Sequence, residues 1–154
     1  MERVVAEELT TMVGESLDPL QFANKPRRGV EDASLALLDN VTRHLDSQHS
    51  FVRILFMDLS SAFNTVNINT LLHHLQQLQV NRTLMLWIKE FLMNRPQHVR
   101  VHGGTSTNTI LNTGVPQGCV LSPIFSSIYT NEITCKINGL KLFKYADDMA
   151  WWPT

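Results

Sequence analysis

The stretch 140-LKLFKYADDMAWW-152 decides the fold, because it sets two adjacent acids, Asp147 and Asp148, between two apolar runs. Adjacent carboxylates repel, and each is expensive to take out of water unless a positive charge meets it. The runs on either side read as strands, so the segment predicts a β-hairpin with both aspartates at or near its turn. Either that turn is solvated or a cation belongs beside it.

Another acid ends a second strand-like run. In 50-SFVRILFMDLS-60, Phe51, Val52, Ile54, Leu55, Phe56 and Met57 are nearly continuous, which predicts a strand buried on both faces and terminated by Asp58. A sheet that pairs the two strands brings three carboxylates together, and such groups do not all stay ionised a few Å apart without a divalent cation. Magnesium suits them, since it takes one or two carboxylates and keeps room for substrate phosphates. Two such ions about 4 Å apart lower the pKa of an attacking hydroxyl and steady a leaving pyrophosphate. Taken singly, an acid at a strand end is ordinarily a turn or cap residue. The joint placement carries the chemical reading, and it predicts the carboxylates of Asp58 and Asp147 within about 6 Å of each other.

The remaining sequence surrounds these strands with helices. With 154 residues, 44% apolar and 18% charged, the chain fits one domain with a real core. Helical spacing runs through "RVVAEELTTMVGESL", with Gly14 as the stop, and through "VEDASLALLDNVTRHLDSQ", which puts Ala33, Leu37, Leu38, Val41 and Leu45 on one face. Two more helices follow, capped by Asn67 or Asn69 and by Asn81, with Trp87 and Phe91 as an i, i+4 core pair. "QHVRVHGGTSTNTILNT" predicts a hairpin around "GGTS", and a further helix starts near Ser122-Pro123. That order predicts an α+β fold, a small and mainly antiparallel sheet with helices on one face.

No apolar run approaches the roughly 20 residues that span a bilayer, and the acids within "MERVVAEELTTMV" are unlike a signal peptide. The reading is an intracellular protein, with nucleus and cytoplasm both open. A net charge of −1 hides local patches, one of which is Lys25, Arg27 and Arg28 in "NKPRRG", a solvated loop or a phosphate contact. Cys119 and Cys135 are expected as buried thiols, and adjacent His73 and His74 diverge by about 100° on a helix rather than forming a metal pair. In "GVPQGCVLSP", Gly114, Pro116, Gly118 and Pro123 make a stiff loop that lets backbone approach a ligand, and the long amide of Gln117 suits a sugar or base edge.

Three stretches in this order, "FMDLSSAFNTV", "GVPQGCVLSP" and "KYADD", resemble the palm motifs of reverse transcriptases. "DPLQFANKPRRGVEDA" and "FLMNRPQHVRV" resemble those of non-LTR (LINE-type) retrotransposons. The resemblance implies a polymerase palm, a small antiparallel sheet packed on helices. It implies RNA-directed DNA synthesis with two Mg²⁺ ions, Mn²⁺ serving as a substitute, acting on an RNA template, a DNA primer and deoxynucleoside triphosphates, away from any membrane.

By the same resemblance Asp58, the Leu59 carbonyl and Asp147 are metal ligands, and Asp148 is their catalytic neighbour. Phe63 stacks under the incoming sugar and excludes a 2′-hydroxyl, the amides of Ser61, Ala62 and Phe63 face its phosphates, Gln117 touches the nucleotide, and Tyr145 meets the primer end. Lys25, Arg27 and Arg28 are nucleic-acid phosphate candidates. The chain departs from the family at Asn64, where many relatives carry aspartate, and at Asn24 and Lys25, where an aromatic and an arginine are commoner. It reads as one truncated domain, with partial fingers and connecting helices over 1–50 and palm over 51–154. The triphosphate-binding fingers motif would precede Met1, and the primer grip and thumb would follow Thr154. An alternative reading is an inactive retrotransposon remnant that binds nucleic acid or protein through the basic patch and through Trp151 and Trp152, expected to be exposed together.

Overall fold

The structure, a computed structural model, describes residues 1–25, 27–46, 51–59 and 61–153. The acidic hairpin forms as its sequence predicts: β6 (Leu140–Tyr145) turns through Ala146 and Asp147 into β7 (Asp148–Pro153). The second strand is β1 (Leu55–Asp58), which adds antiparallel to the other side of β7 and gives the order β1-β7-β6. Along the far side of β6, Gln21 makes an isolated parallel bridge to Lys144, with Phe22 N donating to Lys144 O and Lys144 N to Leu20 O, both at 2.9 Å.

β1 departs from expectation. Its four residues are all exposed, Phe56 at 69%, where the apolar run predicts burial on both faces. Among the described residues it pairs on one side only, and the helix that covers the sheet packs chiefly on β6. The end residues of the quoted stretch, Ser50 and Ser60, lie outside the described residues.

The helices are α1 (Glu2–Val13), α2 (Val30–Leu45), the single turn α3 (Ala62–Thr65), α4 (Ile68–Gln77), α5 (Arg82–Leu92) and α6 (Ser122–Tyr129). Asn67 and Asn81 cap α4 and α5, their Oδ1 atoms accepting from Thr70 N at 3.2 Å and Leu84 N at 2.8 Å. Each bond satisfies one of the amide donors left open at a helix start.

α1, α4, α5 and α6 share one core in which Leu9, Leu71, Ile88, Leu92 and Phe125 are fully buried. Removing one such side chain from water contributes about 1.5–3 kcal/mol. α2 buries no residue completely. Its Ala33, Leu37 and Val41 cover a smaller cluster of Phe22, Phe143, Ala150 and Trp152, while Leu38 and Leu45 of the predicted face stay exposed. The last predicted residues of that helix, Ser47 and Gln48, lie outside the described residues.

The hairpin after α5 is two short ladders, β2 (Arg95–Gln97) with β5 (Thr109–Leu111) and β3 (Arg100–Val101) with β4 (Gly104–Thr105). The Trp pair is split rather than exposed together. Neighbours on a strand face opposite sides, so Trp152 lies under α2 at 1% exposure, edge-on to the His44 ring at 6.5 Å, while Trp151 is half-buried. Trp87 and Phe91 stack at 5.2 Å against the main core as expected. Both cysteines are half-exposed rather than buried, and His74 is buried with its Nε2 3.3 Å from Glu132 Oε2. Among the described residues, no helix is long and apolar enough to cross a membrane.

Candidate active site

The sheet aligns three of the singled-out residues in one row. Asp58 lies directly opposite Asp148 in the β1–β7 ladder, and Tyr145 lies opposite the same Asp148 in β6–β7. Residues opposite each other in antiparallel strands share a face with their Cβ atoms about 4.5–5.5 Å apart. Two like charges at that spacing oppose the pairing that holds them.

Asp147 reaches the same place through the backbone, its carbonyl accepting from Leu59 N at 3.0 Å. The partner of Asp58 across the strands is Asp148, with Asp147 beside it in the turn. Among the described residues, no group of three or more His, Cys, Asp or Glu side chains gathers as a ready metal shell. Two opposed carboxylates and a third in the adjoining turn fit an ion that completes its shell from water and substrate phosphates, as magnesium does.

The turn itself is strained. Ala146 takes φ 55°, a left-handed conformation that a glycine would adopt freely. Holding a residue with a Cβ there costs on the order of 1–3 kcal/mol, a cost that collects at functional sites. Ser61, which precedes α3, is left-handed too, at φ 60°. The backbone thus bends sharply at Ser61, where α3 begins.

A cavity of about 480 Å³ opens beside the row, between Ala33 and Leu37 of α2 and Phe56, Asp58, Tyr145 and Asp148 of the sheet. The volume lies in the usual range of about 300–1,000 Å³ for small-molecule sites. Phe63 is half-buried, packed against the main core. The Ala62 amide donates to Leu59 O at 3.0 Å, so of the three amides assigned to phosphate by resemblance this one already serves the bend.

The glycine loop docks on α3 and on Val66, the residue that ends it. Gly114 N donates to Val66 O at 2.8 Å and Val115 N to Phe63 O at 2.7 Å. Gly114 has φ 72°, and a Cβ there would lie 2.8 Å from the carbonyl oxygens of both Phe63 and Asn64. Only glycine allows that approach. Gln117 Nε2 donates to Asn64 Oδ1 at 3.1 Å.

The basic loop turns inward in part. Lys25 Nζ donates to the carbonyls of Asp18 at 2.8 Å and Leu17 at 3.4 Å. Burial, then the nearby Arg28 charge, pushes its pKa below the usual lysine range, against the pull of Asp18. Arg28 donates to Pro19 O at 2.8 Å and stacks 5.3 Å over Phe22, while Arg27 is exposed.

Sequence reasoning missed Lys144. Its ammonium is wholly buried in β6, 2.8 Å from Asp18 Oδ2, and donates to the carbonyls of Thr130, Asn131 and Ile133 at 3.1–3.3 Å. A lysine inside an apolar strand was the available signal. Its carbonyl partners precede it by 11 to 14 residues, but Asp18, the counter-charge, comes from the far end of the chain.

Solved structures share this fold. Telomerase from Candida albicans in complex with a fragment of telomeric RNA superposes with a TM-score of 0.71 over 99% of this chain and 30% of its own, at 13% identity. Apo telomerase from Candida tropicalis, truncated from its C-terminal domain, gives 0.66 over 99% of this chain and 33% of its own, at 14% identity. The fold shared with them is one of small antiparallel sheets among helices.

The chain belongs to the reverse transcriptase (RNA-dependent DNA polymerase) family, whose pattern it matches over residues 1–151. Among relatives it is 27% identical to the RNA-directed DNA polymerase from mobile element jockey of Drosophila melanogaster, over 97% of this chain and 17% of that protein. It is 28% identical to the Pol polyprotein of the type-1 retrotransposable element R2 of Popillia japonica, over 90% of this chain and 19% of that protein. It is a reverse transcriptase domain of the LINE type, spanning about a sixth of the length of the jockey relative.

Proposed function

We propose that this chain is the palm-containing core of an RNA-directed DNA polymerase that adds deoxynucleotides to a primer 3′-hydroxyl. The observation that carries the reading is the register that sets Asp58 against Asp148 and ties Leu59 to Asp147. Like charges meet there at the end of a strained turn, next to a cavity of small-molecule size. Residues 51–154 are the palm, and 1–50 hold partial fingers and connecting helices.

Asp58, Asp147 and the Leu59 carbonyl would hold Mg²⁺, which when bound lowers the pKa of a hydroxyl and neutralises phosphate charge. Asp148, across from Asp58, adds negative potential that favours the cations. Phe63, pinned on one side by the core, offers the incoming sugar a rigid ring that disfavours a 2′-hydroxyl. Gln117 binds the nucleotide from the docked loop, and Tyr145, in the row with Asp148, meets the primer end. Ser61 and Phe63 amides and exposed Arg27 meet phosphates. RNA template, DNA primer and deoxynucleoside triphosphates are the partners, which sets the protein inside the cell.

Primer extension on a poly-RNA template with Mg²⁺ tests the reading, comparing wild type with Asp147→Ala. Incorporation that the substitution abolishes, with the circular dichroism spectrum unchanged, is the expected result. A wild type that incorporates nothing yet binds RNA in a salt-sensitive way would instead make the chain a binding module.

A further inference from the structure

We infer that Asn64 is a positioning residue, holding the Gln117 carboxamide in the orientation that meets the incoming nucleotide. The inference rests on the nucleotide-binding reading of Gln117 above and extends it to a residue that reading leaves idle.

Two segments far apart in sequence meet here as rigid bodies. Gly114 and Val115 are bonded through their amides to Val66 and Phe63, and the Arg95 guanidinium donates to Gly114 O at 3.2 Å and, through Nε, to Leu92 O at 3.2 Å. The Ser122 hydroxyl donates to Pro116 O, closing the other side of the loop. Against this fixed backbone, the Gln117 side chain would ordinarily sweep through several rotamers, because it is exposed and long. The 3.1 Å bond from its Nε2 to Asn64 Oδ1 removes that freedom.

Asn64 suits the task through its short reach. Its side chain leaves α3, the turn on which the loop is docked, so donor and acceptor belong to one bonded unit. The bond takes one of the two Gln117 amide protons and leaves the other, with the carbonyl Oε1, for a ligand. Neither side chain is buried, so the pair contributes little to packing. Ordering the amide before the nucleotide arrives lowers the entropy lost on binding.

Single-nucleotide incorporation by the full chain on an RNA template–DNA primer tests this, with KM and kcat for the deoxynucleotide measured separately. Asn64→Leu keeps the shape and removes the acceptor; it should raise KM about fivefold to tenfold with kcat held within about twofold. Gln117→Leu should do at least as much, and the double variant no more than Gln117→Leu alone, because one bond is lost in each. Asn64→Asp keeps an acceptor and should stay within about twofold of wild type. Unchanged KM in Asn64→Leu, losses that multiply in the double variant, or an Asn64→Asp that behaves like Asn64→Leu overturns the inference while leaving the polymerase reading in place. Absent wild-type incorporation overturns the polymerase reading itself. The pairing is then decided by thermal unfolding of wild type, Asn64→Leu, Gln117→Leu and the double variant, where a non-additive shift of about 1 °C or more supports it and strict additivity overturns it.

Discussion

Around α4, α5 and α6 the chain buries Leu71, Ile88, Leu92 and Phe125 completely, whereas the sheet bearing the aspartates has an exposed edge strand and a covering helix with no fully buried residue. The two regions divide the work. The helices hold most of the burial that offsets chain entropy, and the sheet keeps its acids where substrate could reach them. Regions with few buried apolar contacts open at lower free-energy cost, and sites that admit ligands tend to be drawn from them. What joins the two is polar. Lys144 ties β6 to Asp18 and to the carbonyls after α6, so the strand that leads to the acidic turn is anchored on the helical side.

Truncating each region is the strongest way to break that comparison. Phe125→Ala should cost about 3–5 kcal/mol by urea denaturation, and Leu37→Ala, half-buried on α2, about 1 kcal/mol. Equal losses would mean that the sheet and its helix are as tightly built as the core. Next, Lys144→Met should cost about 2–4 kcal/mol, because it leaves Asp18 and three carbonyls without their cation. An unchanged midpoint would show that the link between the regions is packing alone. Ala146→Gly should act the other way, stabilising by about 1 kcal/mol as the left-handed turn loses its Cβ strain. If it destabilises, the turn is not where the sheet stores strain.

The smallest effect concerns the loop between the regions. Burial, then the nearby Glu2 carboxylate, raises the Cys119 thiol pKa, with Arg95 opposing. A raised pKa means less thiolate at a given pH, so iodoacetamide should label Cys119 slowly near neutrality, with a midpoint above the usual value of about 8.5. A midpoint at or below that value would place Cys119 in a wetter or more positive setting.

Legibility followed the range of the interaction. The acidic hairpin, the caps Asn67 and Asn81, the start of α6 and the Trp87–Phe91 pair all depend on residues within a few positions of one another. They could be read directly. The apolar run ending at Asp58 forms a strand only over Leu55–Asp58, and it was read wrongly as buried on both faces, because composition does not say which side of a strand acquires a neighbour. Trp151 and Trp152 were expected to be exposed together, and the pleat with α2 on one side separates them. In the candidate site, the acids and Gln117 stand out by type and spacing. Asn64, by contrast, looked like a mere departure, since nothing near it in sequence reveals that Gln117 donates to it.

The amino-acid order by itself determined which segments are helices and strands, where the chain turns, and that Asp58 ends one strand while Asp147 and Asp148 sit at a hairpin turn. Hydrophobic period, capping and turn chemistry are local and need no partner. Only the tertiary structure decided that Asp148 faces Asp58, that Lys144 is buried against Asp18, that Trp152 lies under α2 and that Asn64 holds Gln117. Register across strands and contact between distant loops are settled by the packing of the whole chain, and no short stretch carries that information.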